Sequence, residues 1–209
     1  MPTIPLAEAN VTEDERLFDR VMQATQQRGL DDHDEVWDGT YVVMPLANNE
    51  HQAVSSQLVM AYGPATDFRA GERCLAGANV TDRPTDWVKN FRVPDFLIYL
   101  AGNPAENRDT HWLGGPDLAV EVVSPNDRSR EKLEFYAAVG TRELVVLDRD
   151  PWAVEVYRLV DGRMKSVATA AAAGESVETT TVPAVWHLVS PTESPYVEVE
   201  VNGARTPLA

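Results

Sequence analysis

Apolar and polar positions along the 209 residues fall into blocks of different period, and each block predicts an element. Residues 12–28 carry a helical stripe of Leu17, Phe18, Val21 and Met22, opened by a Thr12/Glu15 capping box and stopped by Gly29. Asp38-Gly39 is a hairpin turn signal, followed by β-prone residues 41–44 and then Pro45. Asn49 is expected to cap a second helix over 50–62, with His51, Val54, Leu58 and Ala61 on one face and Gly63-Pro64 closing it. A short strand is expected at 76–80. Two runs with the same Pro-Asp opening follow, PDFLIYL at 94–100 and PDLAVEVV at 116–123. Both are nearly all apolar, as in central strands covered on both faces, and a loop rich in Gly, Asn and Pro joins them. Ser124-Pro125-Asn126-Asp127 signals a strand exit and a helix start. That helix should run to about residue 139, with Leu133, Tyr136 and Ala137 inward and Gly140 just past its end. Strands are expected at 143–147 and 153–159, then a turn at Asp161-Gly162. The tail holds ATAAAAG, read as a loop, and the strand-like pieces VPAVWHLV and YVEVEV. This order of helices and strands predicts an α+β fold around a mixed β-sheet flanked by helices.

Glu121 is the polar exception inside LAVEVV. On a strand it shares a face with Asp117, Ala119 and Val123, so two covered faces leave it in an apolar setting that demands a cation or several donors. A solvated face, with Glu121 at the surface, is the other reading. Asp95 opens the preceding run, and neighbouring strands lie about 4.8 Å apart, close enough for the two carboxylates to converge. Carboxylates that close repel unless a divalent cation joins them, and oxygen donors of this kind select Mg²⁺ or Mn²⁺. Asp95 also fits as a turn residue after Pro94. Lys132 lies on the helix after the Glu121 strand, where its stem can run along apolar surface and return the ammonium to the strand ends. There it could orient an attacking water or stabilise a charged transition state. Alternatively it faces solvent beside Glu131 and Glu134.

Composition sharpens this in one direction and complicates it in another. One domain, or one with a modest extension, suits the length. Hydrophobic residues are 44% and charged residues 24%, which is globular rather than disordered. A single cysteine, Cys74, excludes an internal disulfide framework and a cysteine-based zinc site and suits a reducing, cytoplasmic setting. The start lacks the basic and apolar regions expected of a signal peptide, and no apolar run is long enough to span a bilayer. The 18 basic residues against 33 acidic ones give −15, which counts against a strong grip on nucleic acid.

The stretch PDLAVEVVSPNDRSREKLEFYAAVGTRELVVLD, with PDFLIYL before it and AVEVYRL after it, resembles the bacterial restriction endonuclease domain family of the PD-(D/E)XK nuclease superfamily. VWDGTYVVMP and NNEHQAVSSQL resemble that family's opening hairpin and first helix, so the likeness covers about residues 35–160. The resemblance implies a restriction-endonuclease-like core over 31–165, preceded by a helical extension at 1–30 and followed by a β-rich tail at 166–209. It implies a Mg²⁺-dependent endonuclease acting on DNA, with Asp95, Glu121 and Lys132 catalytic and Asp95 and Glu121 on the metal. Asp117 fits the pattern too, either at the metal or shaping the turn. His51 matches a histidine frequent in the family's first helix, as site support or as a packed core residue. Arg92, Arg128 and Arg130, with Arg83 and Lys89, are the cations placed to meet a phosphate backbone. The superfamily's usual lysine position, two after the glutamate, is Val123 here, and Gly140-Thr141-Arg142-Glu143-Leu144 departs from the family's Gly-Val and Glu-Tyr-Trp. A homodimer is implied by analogy. An inactive nuclease-fold binding protein is the competing reading. A carboxylate-pair glycosidase is a third, and it has no general need for a lysine at 132.

Overall fold

The apolar runs lie side by side, with Phe96 opposite Val120 and Val120 opposite Val145 in neighbouring strands. A computed structural model describes residues 34–44, 47–124, 128–190 and 195–208. The helix expected at 12–28 falls outside these residues. In chain order the elements are β1 (Glu35–Trp37), β2 (Thr40–Val42), α1 (Asn49–Tyr62), β3 (Arg73–Leu75), β4 (Val80–Thr81) and β5 (Phe91–Arg92). There follow β6 (Phe96–Tyr99), β7 (Glu106–Asn107), β8 (Trp112–Leu113), β9 (Leu118–Val122), α2 (Leu133–Ala138) and β10 (Glu143–Arg149). The chain continues with β11 (Trp152–Val160), β12 (Arg163–Ala170), β13 (Ser176–Thr179), β14 (Ala184–Val189), β15 (Tyr196–Val201) and β16 (Ala204–Leu208).

The central sheet runs β12-β11-β10-β9-β6-β3, with β9 and β10 parallel and every other pair antiparallel. A parallel pair needs a crossover, and the segment holding α2 supplies it. Both faces are covered. On one, Val54, Leu58 and Tyr62 of α1 join Phe96 and Val120 in an apolar cluster that extends to Trp186 and Val199 of a four-stranded sheet, β13-β14-β15-β16. On the other, Phe135 and Tyr136 pack against Leu97, Ala119, Leu144 and Val146. A third sheet, β2-β1-β5-β4-β8-β7, carries the hairpin turn at Asp38-Gly39, where both residues have positive φ. The fold is α+β with a mixed sheet flanked by helices.

Three local differences from the sequence expectations have physical reasons. The cap of α1 is Asn48, whose Oδ1 accepts the His51 N–H at 2.9 Å, so the helix begins one residue earlier than Asn49 as cap would allow. Part of the alanine tract is strand, because residues 168–170 complete the β12 pairing with β11 and Ala170 is buried. The helix expected up to about residue 139 is split: a 3₁₀ turn at Ser129–Lys132 precedes α2. Side chains three apart eclipse in a 3₁₀ turn, which brings Ser129 and Lys132 to the same buried side.

Candidate active site

Glu121 sits one residue before the end of β9 and is only 2% exposed. It faces α2, and two side chains from that side reach its carboxylate. Lys132 Nζ donates to Oε2 at 2.8 Å, and the Tyr136 hydroxyl donates to Oε1. Lys132 is 1% exposed, so the reading of a solvent-facing lysine does not hold. Its ammonium also donates to Glu35 Oε1 at 2.9 Å. Glu35, fully buried on β1, further accepts the Val93 N–H at 2.8 Å and the Trp37 indole N–H at 2.7 Å.

Asp95 precedes β6 and reaches across to β9. Its Oδ2 accepts the Val122 N–H at 2.7 Å, and its Oδ1 lies 3.2 Å from His51 Nε2. The same ring nitrogen is 3.1 Å from the Val122 carbonyl oxygen. A nitrogen between two acceptors must carry the hydrogen, so Nε2 is the protonated position of the ring. Arg149, at the end of β10, fastens this corner: it donates to the Val123 carbonyl oxygen, to Asn48 Oδ1 and to Glu50 Oε2.

Burial dominates the electrostatics. It pushes the Glu121 carboxyl upward, Lys132 pulls the other way, and the charges of Asp95 and Glu35 add to the rise, which reaches about 8. Burial works against the Lys132 ammonium, yet Glu121 and Glu35 outweigh it and hold its pKa above the ordinary value. The Tyr136 phenol, buried beside Glu121 and Glu35, is held well above its ordinary range and stays a donor.

The structure therefore brings Asp95, Glu121, Lys132 and His51 to one corner of the central sheet. It does not bring Asp117 there. Four residues before Glu121, and so about 13 Å back along the strand, the Asp117 carboxylate accepts from the Leu100 N–H and the Asn103 amide and pairs with Arg142 at 2.8 Å. It ties the loop at the opposite end of the sheet, which corrects the expectation that it joins the metal set. Arg92 is corrected too. It is a buried strut, bonded to the Val36 and Phe91 carbonyl oxygens and to Asn90, with its guanidinium 4.5 Å from the Trp37 ring centre and 4.4 Å from that of Phe135. Arg128 pairs with Glu131 and lies over Trp37, and Arg130 pairs with Asp148 and Glu155. Arg83 pairs with Asp38. Sequence reasoning missed Glu35 altogether and gave Tyr136 only a packing role. The available signal was the Glu-Val-Trp alternation before Asp38-Gly39, which puts Glu35 and Trp37 on one face.

A hard divalent cation would need oxygen donors here. Among the described residues no three acidic, histidine or cysteine side chains form a ready cage. Magnesium is commonly held by one or two carboxylates, completed by waters and substrate phosphate. A carboxylate oxygen has two lone-pair positions, and one contact falls on each oxygen of Glu121, from Lys132 and Tyr136, and one on each oxygen of Asp95, from His51 Nε2 and the Val122 N–H. The donor chemistry of Asp95 and Glu121 fits such an ion.

No curated protein matches the chain. Among solved structures, one from Anabaena variabilis ATCC 29413, titled "a putative nuclease belonging to DUF820", is similar with a TM-score of 0.54 at 17% identity, over 71% of this chain and 82% of that one. At that identity the likeness establishes the fold. The model of the Uma2 family, "Putative restriction endonuclease", matches residues 21–190, most of the 209, and the chain belongs to that family.

Proposed function

We propose that this protein is a divalent-metal-dependent endonuclease that hydrolyses phosphodiester bonds in DNA, with Asp95 and Glu121 as the metal-holding carboxylates and Lys132 as the residue that orients the attacking water. The supporting observation is Lys132 itself: a fully buried ammonium bonded to Glu121, on the strand whose Val122 N–H fixes Asp95. Mg²⁺ or Mn²⁺ held by Asp95 and Glu121 would supply Lewis-acid charge to polarise the scissile phosphate. The side chains do the rest. An ammonium has three N–H donors, and Glu35 and Glu121 take two, which leaves one to hold a water or a phosphate oxygen. His51 and the Val122 N–H fix the orientation of Asp95, and the Tyr136 hydroxyl fixes that of Glu121. A homodimer belongs to this reading, and light scattering on the purified chain tests it.

The decisive assay is cleavage of plasmid and single-stranded DNA in Mg²⁺ and in Mn²⁺ by the wild type, Asp95→Asn and Glu121→Gln. The wild type should cut, and each variant should lose about a hundredfold or more. A folded wild-type protein that cuts no DNA in either metal overturns the proposal. The second reading, a nuclease-fold binding protein without activity, draws on one observation: Arg128 and Arg130 are ion-paired and Arg92 is buried. Retention of DNA at low salt without cleavage would favour it.

A further inference from the structure

We infer that Glu35 is a positioning residue of this reaction: it shares the Lys132 ammonium, so that Glu121 can offer an oxygen to a cation without abandoning the lysine. The inference rests on the nuclease reading above. The Glu35 carboxylate is completely buried and surrounded by donors, with Lys132 Nζ and the Val93 N–H on Oε1 and the Trp37 indole on Oε2. Arg92 Nε stands 4.0 Å from Oε2. An apolar side chain would join the β1–β2 hairpin to the central sheet without the desolvation that two buried carboxylates and an ammonium require. What Glu35 contributes is a charge at one particular place.

That place decides how Lys132 behaves. With Glu121 as its sole counter-charge, the ammonium would compete with a divalent cation for one carboxylate. A second carboxylate on the other side of Nζ relieves that competition. Glu35 also reaches the other metal-holding acid, because the Val93 N–H it accepts lies two residues ahead of Asp95. One side chain thus braces both halves of the donor pair.

The test compares Glu35→Gln and Glu35→Asp with the wild type, using the full chain. Mn²⁺ binding is followed by calorimetry without DNA, and cleavage is followed in parallel. Loss of a partner that orients a metal ligand weakens metal affinity or activity by about 10–100-fold, and that is the loss expected for Glu35→Gln. Glu35→Asp keeps the charge on a shorter stem and should bind Mn²⁺ more tightly than Glu35→Gln. A purely packing role predicts the reverse order, because glutamine copies the size and shape of the glutamate. Equal binding by Glu35→Gln and wild type, or tighter binding by Glu35→Gln than by Glu35→Asp, overturns the inference while the nuclease reading stands. If Glu35→Gln does not fold, Glu35→Asp alone decides: Mn²⁺ binding within about tenfold of wild type supports the inference, and a larger loss overturns it. A wild type that neither binds Mn²⁺ nor cuts DNA overturns both.

Discussion

Replacing Lys132 by methionine keeps an unbranched stem and deletes the charge that two buried carboxylates share. In the wild type, Glu35 and Glu121 lie 2.9 and 2.8 Å from Nζ, and all three side chains are buried. Removing one member of a buried ion pair costs about 3–5 kcal/mol, because the remaining charge loses its compensation. Two carboxylates are left here and they repel each other, so the upper part of that range applies, about 4–5 kcal/mol. At about 2–4 °C per kcal/mol for a domain of this size, the melting temperature should fall by about 8–20 °C. The deficit has a definite pH dependence. Without Lys132 to pull it down, the buried Glu121 carboxyl binds protons more readily in the folded chain than in the unfolded one, so stability falls as pH rises and the gap to wild type is widest at high pH. Circular-dichroism melts of the full chain at about pH 8 and about pH 5.5 measure this. The triple variant Glu35→Gln/Lys132→Met/Glu121→Gln, which removes every charge of the trio, should recover much of the loss. A Lys132→Met chain that melts within about 2 °C of wild type at pH 8, where about 8 °C or more is expected, would refute the reasoning.

Asp117→Ala strands the Leu100 N–H, the Asn103 amide and Arg142 and should cost about 1–3 kcal/mol in chemical denaturation, while the proposed DNA cleavage should be equal in the folded variant and the wild type. Lost Mn²⁺ binding at full stability would return Asp117 to the metal set. Gly115→Ala places a Cβ 2.5 Å from both the backbone nitrogen and Oγ1 of Thr141, a clash with the main chain that should cost about 1–3 kcal/mol. A neutral effect on the denaturation midpoint would show that the two segments can part freely. For Glu121, burial is the main cause of a folded pKa near 8 against an ordinary 4.5. Its contribution to stability is therefore complete below 4.5 and lost as pH rises through about 8. Glu121→Gln should gain on wild type across that window in a series of melts, and a flat difference would contradict the assignment.

The central sheet was legible because its strands are continuous apolar runs, and the one acid that interrupts them, Glu121, is the one the fold buries. Asp95 and His51 were legible through local pattern and resemblance, and the structure joins them to each other. Glu35 was not. It sits in DDHDEVWDG among acids that look alike, and what singles it out is an ammonium 97 residues further on. The depth of Lys132 was hidden for a related reason: a 3₁₀ turn, absent from the helical pattern of SREKLEFYAA, rotates it inward. Arg92 misled because position along the chain, just ahead of Pro94-Asp95, says nothing about burial between two aromatic rings.

The separation between Glu35 and Lys132 also bears on how the protein is made. At about 5–20 residues per second of synthesis, residue 132 follows residue 35 by about 5–20 seconds. Through that interval the nascent hairpin carries an acid whose lysine partner has not yet been built, and Arg92, 4.0 Å from Glu35 in the finished fold, is the first cation to reach it. Arg149, 101 residues from Asn48, seals the corner later still. A ribosome-bound fragment ending before residue 132 would hold Asp95 and Glu121 without the lysine that Glu121 pairs with, and a chain cut between 35 and 132 would divide the trio between two pieces.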